Sequence, residues 1–236
     1  MGIRKKIKKY FEEREINQKY AKYFTSISIK KNWDKIHLNK IALINAAVLG
    51  IIKKKNRCNY LEIGCDDNNT FNSISLPEKN KYGVDPRSGG NIKKKSDNFF
   101  NTNKVKFDVI FIDGLHEYEQ CQKDLINSIK FLNNGGYIFL HDLIPLNWRM
   151  ELVPRIQKKW NGDVWKVAYE LHKSKNVKFK IADIDNGVGY FKKTNKIKYL
   201  YLNSILKNKR FKDFIKIYKS LPIIPGERAL KNIIDD

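Results

Sequence analysis

The stretch that most constrains this chain is FDVIFIDGLHEYEQCQKDLINSIKFLNNGGYIFLHD, residues 107–142. Its two ends, FDVIFI and YIFLH, are continuous apolar runs of strand length, the pattern of strands covered on both faces. Between them Tyr118, Cys121, Leu125, Ile129 and Leu132 step by three and four residues, which marks one face of a helix. Asn134-Gly135-Gly136 is expected to end that helix with a left-handed cap. Strand, helix and strand in this order build a parallel pair joined by a right-handed crossover.

The alternation extends upstream. Residues 38–52 keep Leu38, Ile41, Ala42, Asn45, Ala46, Leu49 and Ile52 on one helical face and run into a strand over 59–63. A short strand over 81–84 ends in Asp85, and SDNFF (96–100) reads either as a strand end or as a helix start. Downstream, two β-rich runs over 177–184 and 188–193 flank Asp185-Asn186-Gly187, a hairpin signal. An antiparallel hairpin is thus expected to close an otherwise parallel sheet. Residues 1–36 are basic and amphipathic, with Ile3, Ile7, Tyr10 and Phe11 at helical spacing. A cap packed on the domain is preferred there to a helix lying on a membrane surface. Residues 196–219 read as a lysine-rich helical tail, broken by Pro222 and Pro225. The expected organisation is an N-terminal helical cap (1–55), a central α/β domain (56–195) and a helical tail (196–236).

A chain of 236 residues buries enough surface to fold without a disulfide or metal staple. Its three cysteines, Cys58, Cys65 and Cys121, form no C-x-x-C pair, which points to a reducing compartment. No apolar run approaches a transmembrane span. The start MGIRKKIKKYF lacks the apolar region of a signal peptide, and Lys6 stands where myristoylation needs Ser or Thr. A cytoplasmic location is expected. The net charge of +22 is read first as compositional bias on a solvated surface, since lysines far outnumber arginines and are spread along the chain. An anionic substrate or peripheral membrane contact comes second. Specific nucleic-acid binding is not expected, because no aromatic-interleaved arginine cluster could stack bases.

In an open parallel sheet, ligands bind beyond the carboxyl ends of the strands. Those positions hold Glu62 and Gly64, then Asp85, then Asp113 and His116, then His141 and Asp142. No lysine or arginine stands among them, and LEIGCDDNNT (61–70) carries a single glycine where a pyrophosphate cradle needs three. Such a rim suits a ligand with a cationic centre and free ribose hydroxyls. Asp85 follows Gly64 by about 20 residues, where a carboxylate can accept from both ribose hydroxyls. Glu62 is costly to bury unless a ligand ammonium or a structural cation partners it.

LEIGCDDNNT, YGVDP, SDNFF, the 107–145 block ending HDLIP, GDVWKVAYEL and DIDNGVGYF together resemble one family, over about residues 59–191. It is the class I S-adenosylmethionine-dependent methyltransferases of the small-molecule and sugar O-methyltransferase type, methyltransferase family 24. The resemblance implies a Rossmann-like α/β fold: a seven-stranded, mostly parallel sheet with an antiparallel last strand and helices on both faces. It implies S-adenosylmethionine as cofactor, held by Glu62, Gly64, Asp85, Asp97 (near the adenine amino group) and Asp113. The spacing Asp113-Gly-Leu-His116 with a later Asp142 is similar to metal-dependent sugar O-methyltransferases. There the two aspartates would hold Mg2+, and His116 would act as base, with Asp113 beside it. His141 is expected as a second base or as a strand-end residue. The implied acceptor is a sugar, glycan or other small hydroxylated molecule; a homo-oligomer is compatible. A dehydrogenase is disfavoured by the missing glycines, and a nucleic-acid methyltransferase by IDGLHE standing where N-P-P-Y would be. An inactive scaffold is disfavoured by the full set of acidic strand ends.

Overall fold

Alternation within the strands decides the architecture. Leu61, Ile63, Ile110, Ile112, Ile138 and Leu140 bury on one side of a sheet, while Tyr60, Val109, Phe111, Tyr137 and Phe139 bury on the other. Successive strand residues point to opposite faces, so runs apolar at every position require a helical layer on each side. The computed structural model describes residues 3–236, with side chains described at 7, 8 and from 10 onward. In chain order its elements are α1 (Ile3–Lys19), α2 (Lys40–Lys55), β1 (Tyr60–Ile63), α3 (Asn69–Ser73), β2 (Lys81–Val84), α4 (Ser96–Thr102), β3 (Phe107–Ile112), α5 (Tyr118–Phe131), β4 (Leu132–Leu140), α6 (Trp148–Glu151), α7 (Trp165–Lys173), β5 (Lys180–Ala182), β6 (Val188–Lys192), α8 (Asn203–Leu206), α9 (Phe211–Tyr218), β7 (Ile223–Ile224) and α10 (Gly226–Ile234).

The seven strands lie in the order β2-β1-β3-β4-β6-β5-β7. Neighbours are parallel except at β6, which runs antiparallel to both β4 and β5. This is the mixed sheet expected, with the reversal in the second arm of the hairpin. The edge strand β7 comes from the tail, between Pro222 and Pro225, and pairs parallel with β5. Helices α4, α5, α7 and α9 cover one face, and α2, α3 and α10 cover the other. Phe111 and Phe139 are wholly buried, each worth about 1.5–3 kcal/mol of apolar transfer.

Of the two readings of SDNFF the helix start holds, as the beginning of α4. Several local expectations are corrected. α5 stops at Phe131 with an extended Leu132, not at a left-handed glycine cap, because Leu132 is already paired with Phe107 as the first residue of β4. The buried face of α2 is Leu43, Ile44, Ala47, Val48 and Ile51, and Leu49 is exposed. Residues 196–219 hold only the short α8 and α9, preceded by an extended bridge between Lys198 and Lys175. In α1, Ile7, Tyr10 and Phe11 are exposed; the side chain of Ile3, and Met1 with Gly2, lie outside the described residues. The three cysteines are free and buried. No helix among the described residues is long and apolar enough to cross a membrane.

Candidate active site

The parallel strands β1, β2, β3 and β4 end on one rim, and the reversed β6 begins there. The Asp185-Asn186-Gly187 turn therefore joins the strand ends: Leu143 and Ile144 donate their N–H groups to Gly187 and Asn186 carbonyls at 3.2 and 2.9 Å. The first turn of α2 reaches the same rim, where the N–H of Lys40 donates to Asp185 Oδ2 (3.4 Å). Asp113, His116, His141, Asp142 and Asp185 thus meet although they lie on three different loops, after β3, after β4 and between β5 and β6.

His141 is buried. Its Nδ1 lies 3.1 Å from Asp113 Oδ1 and 3.5 Å from Asp142 Oδ2, and its Nε2 lies 2.8 Å from the Asp185 carbonyl oxygen. His116 is half-buried, with Nε2 3.4 Å from Asp113 Oδ1 and Nδ1 3.2 Å from Asp142 Oδ2 and 3.1 Å from the Trp160 carbonyl oxygen. Its ring stacks on Trp160, centroids 5.4 Å apart at 18°. The segment that carries Trp160 is clamped to it. Asp163 Oδ1 accepts from the Tyr118 N–H at 2.7 Å, and Gly162, at φ +65°, lies so close that a Cβ would fall 1.6 Å from the His116 carbonyl oxygen. Only glycine fits there.

The charges are interdependent. Burial pushes the Asp113 carboxyl up, but the His141 charge, the His116 hydrogen bond and Lys40 hold it far below the usual carboxylate range. Burial likewise opposes ionisation of Asp185, and His141 with Lys40 brings it to about 2. Both histidines are raised despite burial, because Asp113 and Asp142 face them. Asp142 is raised, chiefly by burial. It adopts φ +60°, a left-handed conformation costing a non-glycine residue roughly 1–2 kcal/mol. The Asn161 amide holds it there, donating to both its carbonyl and Oδ1 at 3.2 and 3.0 Å.

Glu62 is buried inside β1, and the Tyr60 hydroxyl donates to its Oε2 at 2.5 Å. Burial pushes its carboxyl up to about 8, partly offset by that hydrogen bond. Gly64 has φ +85°, and a Cβ there would fall 2.3 Å from the Asp113 carbonyl oxygen. The glycine that opens the first turn is thus required by the neighbouring strand end. Asp85 accepts four backbone N–H groups: Cys65 and Asp66 on Oδ2 (3.1 and 3.3 Å), Arg87 and Ser88 on Oδ1 (2.8 and 2.9 Å). It ties the loop after β1 to the loop after β2. Asp97 stands in the first turn of α4 against α5, where Gln120 Nε2 donates to its Oδ1 at 3.3 Å.

Sequence reasoning missed four participants. Lys40 is a cation at a rim expected to have none, its Nζ 3.6 Å from Asp113 Oδ2 and 3.8 Å from Asp185 Oδ2. Asp185 was legible only as a turn residue. Trp160 and Asn161 sit in an irregular segment with no local signature. Beside the cluster opens a cleft of about 320 Å³ whose lining includes Trp33, Asp142, Met150, Trp160, Asp185 and Asn186. The segment before α2 walls one side, anchored by Trp33 Nε1 donating to Asp183 Oδ1 (2.9 Å) and by a Lys31–Asp183 ion pair.

The donor set is compatible with a divalent cation. Asp113, His141 and Asp142 each offer one ligand atom, all within 4.8 Å of one another. Asn161 Oδ1 is buried beside them with no hydrogen-bond partner.

Residues 73–143 match the family profile described as a methyltransferase domain, methyltransferase family 24. An uncharacterised protein, R132 of Acanthamoeba polyphaga mimivirus, is 27% identical over 133 residues, 44% of this chain and 60% of that protein; the chain thus spans less than two thirds of this relative's length. Among solved structures, an O-methyltransferase from Bacillus cereus in complex with S-adenosylhomocysteine is 11% identical at a TM-score of 0.45, covering 77% of this chain and 90% of that one. The O-methyltransferase TomG from Streptomyces achromogenes, in complex with S-adenosylmethionine, is 9% identical at 0.46, covering 68% and 92%. The family match runs from the end of α3 to just past β4, and the seven-stranded sheet is reversed at a single strand; in both respects this chain is similar to the class I S-adenosylmethionine-dependent methyltransferases of family 24.

Proposed function

We propose that the protein transfers the methyl group of S-adenosylmethionine to a hydroxyl of a small acceptor, a sugar or glycan by preference. The observation that carries this reading is the placement of His116 between Asp113 and Asp142, with its ring stacked on Trp160, which with Asp142 lines the cleft. With Nδ1–H donated to the Trp160 carbonyl, Nε2, 3.4 Å from Asp113 Oδ1, is the nitrogen that would take the acceptor's proton when His116 is neutral. When bound, S-adenosylmethionine would supply a sulfonium methyl group as the electrophile, and His116 would hold the proton lost by the acceptor hydroxyl, so that a methyl ether, S-adenosylhomocysteine and a protonated His116 balance the transfer. A positioned base of this kind contributes roughly 10²–10⁴-fold.

Glu62 and Gly64 would border the methionine end of the cofactor and Asp97 the adenine. Asp85 would share its carboxylate between the backbone amides it already holds and the ribose hydroxyls. A cation held by Asp113 and Asp142 would lend positive charge to the developing alkoxide. Indoles at Trp33 and Trp160, with Asp34, Asp185 and Asn186 in the same lining, offer ring faces and acceptors that suit a polyhydroxylated molecule. The account is tested by incubating the protein with methyl-labelled cofactor and a panel of monosaccharides, glycans and nucleic acids. Label in an alkali-stable ether on a sugar supports it. Label in nucleic acid alone, or none with any acceptor despite cofactor binding, overturns it.

A further inference from the structure

His141 is built differently from a base. A general base must be reached by its substrate, whereas the His141 side chain is only 6% exposed, against 22% for His116, and both its nitrogens are turned onto protein oxygens. Its Nε2–H is anchored on the Asp185 carbonyl at 2.8 Å. Its Nδ1 points to where Asp113 Oδ1 (3.1 Å) and Asp142 Oδ2 (3.5 Å) converge. An N–H fixed by a backbone carbonyl, with the opposite nitrogen directed at carboxylate oxygens, is how metal-ligating histidines are oriented.

The distances agree. Adjacent donors around a cation with bonds of about 2.1 Å lie about 3 Å apart, so small shifts would close these three atoms around an ion. Lys40 engages the other oxygen, Asp113 Oδ2, at 3.6 Å, leaving Oδ1 directed inward. A second observation points the same way. Asn161 is 1% exposed, its amide nitrogen is spent on Asp142, and its Oδ1 has no partner. A buried acceptor left unsatisfied is costly, and a cation beside Asp142 would relieve it.

We propose that His141 Nδ1, with Asp113 Oδ1 and Asp142 Oδ2, ligates a divalent transition metal of the Mn2+, Fe2+ or Zn2+ class in preference to Mg2+. Imidazole suits these ions, whereas Mg2+ favours oxygen ligands and keeps its waters. The inference rests on the reading of Asp113 and Asp142 as carboxylate ligands, and it makes His141 a ligand and leaves His116 as the base.

The full chain, stripped of metal, is titrated calorimetrically with Mn2+ and with Mg2+, and pulsed electron paramagnetic resonance of the Mn2+ complex reads nitrogen coupling. Mn2+ should bind at least about tenfold more tightly than Mg2+. Its spectrum should show a directly coordinated nitrogen that persists in His116→Ala and disappears in His141→Ala. If His141→Ala does not fold, the wild type and His116→Ala decide between them, since coupling that vanishes with His116 refutes the assignment. Mn2+ bound without nitrogen coupling, Mg2+ bound as tightly, or neither ion bound also refutes it. Titration of the same preparation with S-adenosylhomocysteine keeps the two readings separate. Nitrogen-coupled Mn2+ without cofactor binding sinks the methyltransferase activity alone; cofactor binding without nitrogen-coupled metal sinks this inference alone.

Discussion

Asp85→Asn is a nearly isosteric change whose cost can be worked from the structure. The carboxylate accepts two pairs of backbone N–H groups, one pair on each oxygen. An asparagine keeps one acceptor, which will serve the shorter bonds from Arg87 and Ser88. Its NH2 then faces the N–H groups of Cys65 and Asp66, donor against donor. Hydrogen bonds to charged groups contribute roughly 1.5–3 kcal/mol each, and less where the group is partly open to water, as Asp85 is. Losing two and weakening two should cost about 2–3 kcal/mol. For a chain of this size each kcal/mol moves the melting temperature by roughly 2–4 °C, so a drop of about 4–12 °C is expected. The pH dependence has a definite sign. Burial works against ionisation, but the four N–H groups hold the Asp85 carboxyl below its ordinary value. Its stabilisation is therefore present above about pH 3.9 and lost as pH falls below it. The gap between wild type and variant should narrow at low pH. Calorimetric titration with S-adenosylhomocysteine should show weakened binding in the folded variant. A variant with the wild-type melting temperature and wild-type cofactor affinity would refute both roles given to this carboxylate.

Gly64→Ala must strain a left-handed backbone and push the β1 turn off the Asp113 carbonyl; a loss of at least about 2 kcal/mol is expected in urea titration, and wild-type stability would contradict it. Glu62→Gln should become relatively more stable as pH rises from the ordinary carboxyl range to about 8. A buried carboxyl with a raised pKa loses about 1.4 kcal/mol per pH unit over that interval, and parallel stability curves for the two proteins would show that Glu62 does not titrate as argued. His116→Ala should bind cofactor normally and turn over at least about a hundredfold more slowly on an authentic acceptor; full turnover would make His116 structural.

The strand ends were legible because each stands beside an apolar run that had to be a strand, and parallel strands share one rim. That logic delivered Asp85, Asp113, His116, His141 and Asp142. It could not deliver Asp185, which reaches the rim only because β6 runs backwards, or Lys40, which arrives from the start of a helix far earlier in the chain. The face of α2 was misread because a second apolar stripe, through Leu38, Ile41 and Leu49, competes with the buried one; the facing sheet and α10 decide between them. β7 is two residues between prolines and carries no periodicity at all. The orientation of His141, which separates a ligand from a base, depends on a carbonyl in the hairpin turn and has no trace in local sequence.

The central claim is that this rim binds S-adenosylmethionine. The most direct test is calorimetric titration of the full, folded chain with the cofactor and with S-adenosylhomocysteine. The account predicts a one-to-one complex for each, weakened by Asp85→Asn and by Glu62→Gln and unaffected by His116→Ala. A folded protein that shows no binding of either molecule, or binding indifferent to Asp85 and Glu62, would contradict it.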